Sequence, residues 1–478
     1  MCCASHNASA LLPEAVSPAI TIVLGCMGIE SVVCLWEWMC CWIRFYILSH
    51  GFAVAVASKL PSKFLKTFYH AALENIVAKK TIDQLDVRGK KIFIRADFNV
   101  PQHDDGSISD DRRIRATIAT IESVLQRGGS VIVASHLGRP EGKGHEPAYS
   151  MNAVAQRLRE LLAGVASKVH LSSELPSQSH AQAAALKVGE VLLLENLRFE
   201  KGEKKGDAQF AAAMAKYADA YCNDAFGASH RNDASMLALP LAMKPKPCVA
   251  GFLLAKELKF LGETLQNARK PFVAILGGAK VSDKLPALEH MIGTVDSIIV
   301  GGAMAYTFLL AQGVAVGASR VEKDLVDKAK DILDLAKVKG TQILLPVDHN
   351  CGREFKADTE KNIFAGAIAD GWMGLDIGPL SAKLFAAEIA KAKTVIWNGP
   401  MGVFEMPPFD AGTLAVAHAV IQATTSGATT VAGGGDTAAA LEIAGLSAQL
   451  SHVSTGGGAS LEMLEGKKFE SLVPIDEA

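Results

Sequence analysis

Beyond residue 80 the chain alternates two hydrophobic patterns. Short runs rich in aliphatic and β-branched residues occupy 91–95 (Lys-Ile-Phe-Ile-Arg), 130–135 (Ser-Val-Ile-Val-Ala-Ser) and 190–194 (Glu-Val-Leu-Leu-Leu). Their length and composition predict buried strands. Between them apolar residues recur at helical spacing. Ile114, Ile118, Ile121 and Leu125 share one face of 114–126, and residues 151–162 and 210–218 repeat the same period. A fourth strand is expected just before Asn223. The pattern then restarts, with strand-like runs at 270–276, 297–300, 341–345, 394–397 and 429–432. Strand and helix in alternation predict right-handed βαβ units and parallel sheets covered on both faces. Residues 250–266, rich in Leu, Lys and Glu, read as one helix joining two lobes. The expected architecture is α/β: two doubly wound, Rossmann-like parallel-sheet domains at 78–250 and 267–455, a bridging helix at 251–266, and a C-terminal segment at 456–478 returning to the first domain.

The first 77 residues follow a different pattern. Residues 19–58 are strongly apolar and hold Trp36, Trp38 and Trp42, but Glu30, Glu37 and Arg44 interrupt them. No uncharged run reaches the roughly 18–20 residues of a membrane-spanning helix; the longest, 15–29, contains Pro18. Residues 1–20 hold no Lys or Arg, unlike a signal peptide, and the segment is not Arg-rich like a transit peptide. A membrane anchor and an extension packed on the rest of the chain are two readings. The preferred one is that the segment is not translated and that synthesis starts at Val77 through a non-standard start codon, because composition changes abruptly at Ala78-Lys79-Lys80-Thr81. A native peptide from 1–70 would refute it.

Composition narrows the function. The 478 residues are 49% hydrophobic and 21% charged, with a net charge of −2. That balance suits large cores and gives no reason to expect nucleic-acid binding, so any anion must be held by local clusters. Six of the nine cysteines lie in the first 41 residues. The remaining three form no disulfide framework and show no zinc-site spacing, which indicates a reducing compartment.

The informative residues cluster just beyond the predicted strands, where open parallel sheets bind ligands. In the first half these are Arg95, Asp97 and Asn99; His136, Gly138 and Arg139; Glu195, Asn196 and Arg198; and Asn223, Asp224, His230 and Arg231, with Arg113 at the end of a polar loop. Convergent Arg and His residues make a cradle for a small polyanion, because the planar guanidinium binds phosphate or carboxylate with two bonds. In the second half the strand ends carry glycine and lysine: Gly277-Gly278-Ala-Lys280-Val-Ser-Asp-Lys284, Gly433-Gly-Gly-Asp436-Thr437 and Gly456-Gly-Gly-Ala-Ser460. Glycine lets phosphate approach the backbone, and a following helix offers unpaired N–H groups. Asp436 is placed to hold Mg²⁺ beside a nucleotide. There is no GxxxxGK[ST] run, and no GxGxxG follows the first strand. An arginine lobe facing a glycine–lysine lobe suits phosphoryl transfer.

Six motifs, Arg95-Ala-Asp-Phe-Asn-Val-Pro101, Ser135-His-Leu-Gly-Arg-Pro140, Asn223-Asp-Ala-Phe-Gly227, Gly277 to Lys284, Trp397-Asn-Gly-Pro-Met-Gly-Val-Phe-Glu405 and Gly433 to Thr437, occur in the order seen in phosphoglycerate kinases. The chain resembles that family from residue 80 to about 470. The resemblance implies reversible, direct phosphoryl transfer between ATP and 3-phosphoglycerate, giving ADP and 1,3-bisphosphoglycerate, in glycolysis or gluconeogenesis. It implies that Asp97, Phe98, Asn99, Arg113, His136, Leu137, Gly138, Arg139, Arg198 and Arg231 bind the phosphoglycerate. It places Gly278, Lys280, Lys284, Gly374, Asn398, Glu405, Gly434, Gly435, Asp436 and Thr437 around the nucleotide, with Glu405 on the ribose and Asp436 on Mg²⁺. Arg113, Lys280, Lys284 and the helix starts at Gly434 and Gly457 would stabilise the transferring group. A cytoplasmic monomer that closes its two lobes is also implied. Two departures stand out: Asn232-Asp233 replace a usual histidine two residues beyond Arg231, and Ala303 replaces a common glycine. A non-catalytic or membrane-tethered protein on the same scaffold is the alternative.

Overall fold

In β1 (Lys91–Ala96) every residue after the first is buried, and in β2 (Ser130–Ala134) every residue is. Strands covered on both faces read as continuous apolar runs, which is why the sequence shows them so plainly. The computed structural model describes residues 79–478, and Ile76–Ala478 forms one compact unit. The apolar segment 19–58 and the start proposed at Val77 lie outside the described residues. Among the described residues no helix is long and apolar enough to cross a membrane.

Two six-stranded parallel sheets carry the fold. The first adds β3 (Lys168–Leu171), β4 (Glu190–Leu193), β5 (Ala220–Asp224) and β6 (Cys248–Ala250), in the order β3-β4-β2-β1-β5-β6. Its register sets Arg95 opposite Ala134 on one side and Asn223 on the other. The residues that follow these strands therefore emerge together at one edge. Phe93, Ile132, Leu192 and Tyr221 pack on one side of this sheet, and Ile92, Ile94, Val131 and Val133 on the other.

The second sheet comprises β7 (Phe272–Leu276), β8 (Ser297–Val300), β9 (Gln342–Leu344), β13 (Thr394–Asn398), β14 (Thr429–Gly433) and β15 (His452–Val453), in the order β15-β14-β13-β7-β8-β9. Asn398 is in register with both Leu276 and Gly433, so the glycine turns after β7 and β14 flank it.

A third, antiparallel sheet was not expected: β10 (Asp348–Gly352), β11 (Lys361–Ala365) and β12 (Met373–Ile377), in the order β11-β10-β12. β10 reads Asp-His-Asn-Cys-Gly and has no apolar run to betray it. Its buried acid is paired: Asp348 accepts from the backbone nitrogens of Leu380 and Ser381 at 2.9 and 2.7 Å. The short edge strands β3, β6 and β15, of four, three and two residues, also gave little signal, being too brief to show a pattern.

The helix expected over 250–266 is a composite. Phe252–Glu257 is α-helical, Leu258–Glu263 is a π-helix, and Thr264–Gln266 resumes the α-helix. The wide turn has no signature in the residue pattern, and such turns recur at functional sites. At the C-terminus, Asp476 donates its backbone N–H to the Cys248 carbonyl and accepts from the Cys248 nitrogen, at 2.7 and 3.0 Å, while its own carbonyl takes the Lys80 N–H. The end of the chain thus lines the edge of the first sheet.

Candidate active site

The strand ends of the first sheet build a cationic cradle. Asp97, one residue beyond β1, holds Arg113 through Nη1 at 3.0 Å, and the Asn99 carbonyl accepts from the same nitrogen at 3.2 Å. The buried Phe98 is anchored by its N–H on Ser135 Oγ. The Asn99 side chain accepts from the Gly138 nitrogen at 2.8 Å, and Arg198 Nη1 donates to the Gly138 carbonyl at 2.9 Å. Gly138 has φ +60°, and a Cβ there would meet the Tyr149 ring at 2.5 Å, so only glycine fits this turn. Asn196 clamps Leu137 at both backbone atoms, accepting from its nitrogen and donating to its carbonyl. It also accepts from the Arg198 nitrogen, so one amide positions two candidate ligands. Sequence reasoning gave Asn196 no such role; its place between Glu195 and Arg198 was the only hint.

The cations here exceed their partners. Arg139 is exposed, and neither it nor Arg231 forms a salt bridge among the described residues; Arg231 Nε instead donates to His230 Nε2 at 3.2 Å. Arg198 Nε and His136 Nε2 are buried with no hydrogen-bond partner. Buried donors in that state mark a place where a ligand belongs. Burial first, and then the charges of Arg95, Arg198, Arg231 and Arg113, hold the His136 pKa well below its usual value, so the ring is neutral at physiological pH. His230 is lowered by burial and by Arg231. Burial, followed by the charge of Arg231, also lowers Arg198.

The second sheet builds a glycine-rich cradle. Gly277 and Gly278 donate to the carbonyls of Asn398 and Pro400 at 3.0 and 3.1 Å. Lys284 reaches the Asn398 side-chain oxygen with its ammonium. Burial lowers the Lys284 pKa, while Asp283, Asp436 and Glu465 pull it back up. Gly434, at φ +92°, lies over Asn398 and precedes the helix Gly435–Ile443. Thr437, buried in that helix, accepts the Gly399 N–H at 2.6 Å, while Gly435 and Asp436 are exposed. Lys280 and Glu405 are exposed at the rim. The loop bearing Glu405 is tied to β12 by the Val403 N–H on the Leu375 carbonyl, beside Gly374, where a Cβ would strike the Tyr306 hydroxyl at 1.9 Å.

The two cradles meet at a point. A Cβ on Gly457, first residue of the helix Gly457–Leu464, would lie 3.2 Å from the Gly435 nitrogen, so two helix N-termini abut. Gly456 packs on Gly227 and Phe226, and a Cβ on Gly227 would fall 2.5 Å from Asp97 Oδ2. Gly458 faces His230, and Arg112 Nη1 donates to the Ala438 carbonyl at 3.3 Å. Two positive helix ends thus sit against the arginine cluster, a strong locus for an anion with charge on several oxygens. Gly227 and Gly456 each stand in a motif visible in sequence, but their closeness, a contact between lobes, is not.

Asp436 stands in the first turn of Gly435–Ile443, and no cluster of three or more His, Cys, Asp or Glu able to hold a metal occurs among the described residues. A single exposed carboxylate fits Mg²⁺ carried in with nucleotide phosphates, since that ion keeps waters and phosphate oxygens as its other ligands.

The family model for phosphoglycerate kinase matches residues 82–467. A phosphoglycerate kinase of Rhodopirellula baltica is 51% identical over 406 residues, 84% of this chain and 100% of that protein. A cytosolic phosphoglycerate kinase of Triticum aestivum is 50% identical over 399 residues, 83% of this chain and 98% of its own. The structure of phosphoglycerate kinase from Coxiella burnetii superposes with a TM-score of 0.74 at 36% identity, over 83% of this chain and 98% of that one. With the motifs, both parallel sheets and these likenesses in agreement, the chain belongs to the phosphoglycerate kinase family.

Proposed function

We propose that the chain transfers a phosphoryl group between ATP and the carboxylate of 3-phosphoglycerate with the residues assembled above. The arginine lobe (Asp97, Phe98, Asn99, Arg113, His136, Leu137, Gly138, Arg139, Arg198 and Arg231) takes the acid. The glycine–lysine lobe (Gly278, Lys280, Lys284, Gly374, Asn398, Glu405 and Gly434 to Thr437) takes the nucleotide. The observation that carries this reading is the abutment of Gly457 on Gly435 beside Gly227 and Asp97. It supplies one spot where both ligands can meet.

The acceptor carboxylate is ionised at neutral pH, so no residue has to remove a proton. Transfer then depends on alignment and on fixed positive charge facing the equatorial oxygens. Arg113, Lys280 and Lys284 supply side-chain charge, and the first N–H groups after Gly434 and Gly457 supply helix-end donors. When bound with the nucleotide, Mg²⁺ neutralises phosphate charge, and Asp436 is the residue that would hold it. Glu405 at the rim suits the ribose hydroxyls. In this reading the chain works in glycolysis, and in reverse in gluconeogenesis, as a cytoplasmic monomer of two lobes joined by the helix after Gly251.

Calorimetric titration tests the division of labour. Arg198→Ala and Arg231→Ala should abolish 3-phosphoglycerate binding and spare ATP, whereas Lys280→Ala should weaken ATP alone. Loss of both ligands in each variant would contradict the two-lobe assignment.

A further inference from the structure

Arg95 stands at the end of β1 with its guanidinium fully buried. Its Nε donates to Ser235 Oγ at 2.7 Å, and that hydroxyl donates to Glu203 Oε1 at 2.6 Å. The Ser235 N–H donates to Glu203 Oε2 at 2.9 Å, and the Tyr221 hydroxyl donates to the Ser235 carbonyl at the same distance. Glu203 is itself fully buried, with Oε1 3.9 Å from Arg95 Nη2. Arg95 Nη1 donates to the Ala96 carbonyl. Nε and Nη1 are therefore fixed, and the remaining nitrogen, Nη2, lies 3.9 Å from Glu203 Oε1 and 3.3 Å from His136 Nδ1.

This contact has only one sense. A guanidinium has donors, no acceptor, and keeps its proton in proteins. His136 Nδ1 must then be the acceptor. A neutral imidazole that accepts at Nδ1 carries its proton on Nε2. His136 Nε2 is the buried atom that finds no partner in the protein.

We propose that Arg95 is a positioning residue that locks His136 in its Nε2–H tautomer, so that the ring presents a donor and not a lone pair to the anionic substrate. Glu203 and Ser235 hold Arg95 for this task. The opposite tautomer would aim a lone pair at phosphate or carboxylate oxygen and repel it. Arg95 thus acts on the substrate through His136. The proposal rests on the reading of the arginine lobe as the acid-substrate site.

Imidazole ¹⁵N NMR of the full chain, with the His136 signals assigned by their loss in His136→Gln, tests it. The free protein should show a proton on Nε2 and a bare Nδ1. Arg95→Met leaves Glu203 buried without its cation, so the double variant R95M/E203Q is measured beside it. Both should show mixed or reversed tautomers. KM for 3-phosphoglycerate should rise about tenfold, the worth of one hydrogen bond to a charged group, with kcat little changed. A proton on Nδ1 in the unsubstituted protein overturns the proposal, as does an unaltered Nε2–H tautomer in the double variant. If the tautomer is as stated but the His136 signals do not move when 3-phosphoglycerate is added, it is the assignment of the acid site that fails.

Discussion

Arg113 Nη1 lies 3.0 Å from Asp97 Oδ2, so the cation proposed to meet the substrate is already bound to an acid. Arg113 is one-third exposed on its side chain, and the Asp97 oxygen that holds it lies against Gly227, on which Gly456 packs at the junction of the lobes. A carboxylate-bound guanidinium is oriented before substrate arrives, which lowers the ordering cost at the reacting centre. Arg113→Ala should lower kcat by about 10²–10³-fold, the loss typical for one preorganised donor. Steady-state kinetics decide: a rise in KM at constant kcat would mean that Arg113 only binds.

Lys284 should behave alike from the other lobe. Its ammonium is held on Asn398, which also lies under Gly434. Lys284→Ala should reduce kcat by a comparable factor while ATP still binds, since Gly278 and the Gly434 helix start remain. Nucleotide titration and turnover, measured on the same variant, separate those effects. Retained turnover would remove Lys284 from the reaction.

Asp233 is a feature of this chain's own sequence. It is buried, its Oδ2 has no hydrogen-bond partner, and that atom lies 3.9 Å from Arg198 Nη2. It draws on the charge of a candidate substrate ligand. Asp233→His should lower the KM for 3-phosphoglycerate by roughly two- to fivefold, within the range of a single weak ion pair. An unchanged or higher KM would show that Asp233 supports the cradle.

Asp224 gives a test through stability. Burial first of all raises its carboxyl from 3.8 to about 7, against the hydrogen bond from the Leu254 nitrogen at 3.1 Å. Between those two values the folded chain holds a proton that the unfolded chain has lost. Stability must then fall as pH rises through that window, by roughly a few kcal/mol if no other group intervened. His136 works in the opposite sense: its folded pKa is depressed, so stability falls as pH drops through the ordinary histidine value of 6.5. Asp224→Asn should flatten the loss between about pH 4 and about 7 in denaturant titrations. An identical pH slope in the variant would place the proton elsewhere.

The parts of this molecule that were legible in sequence are those where burial and chemistry coincide. Strands covered on both faces, such as Ser130–Ala134 and Phe272–Leu276, have to be continuous apolar runs, and the polar residues just beyond them stand out by contrast. The antiparallel sheet was invisible because Asp348, His349 and Asp376 are buried polar residues whose partners are remote in sequence. The π-helical turn at Leu258–Glu263 has the residues of an ordinary helix. In the site, individual cations could be seen, but their division of labour could not. Arg95 and Arg113 look equivalent along the chain, yet one is walled in by Ser235 and Glu203 and the other opens to the junction. The meeting of Gly456 with Gly227 joins positions more than 200 residues apart, as their numbers show.

The most direct measurement is ATP consumption by the full chain in a coupled assay, with 3-phosphoglycerate present or absent. The two-cradle arrangement predicts ADP formation that requires 3-phosphoglycerate and nearly vanishes in Arg113→Ala. No 3-phosphoglycerate-dependent ADP from the folded, unsubstituted protein would contradict it.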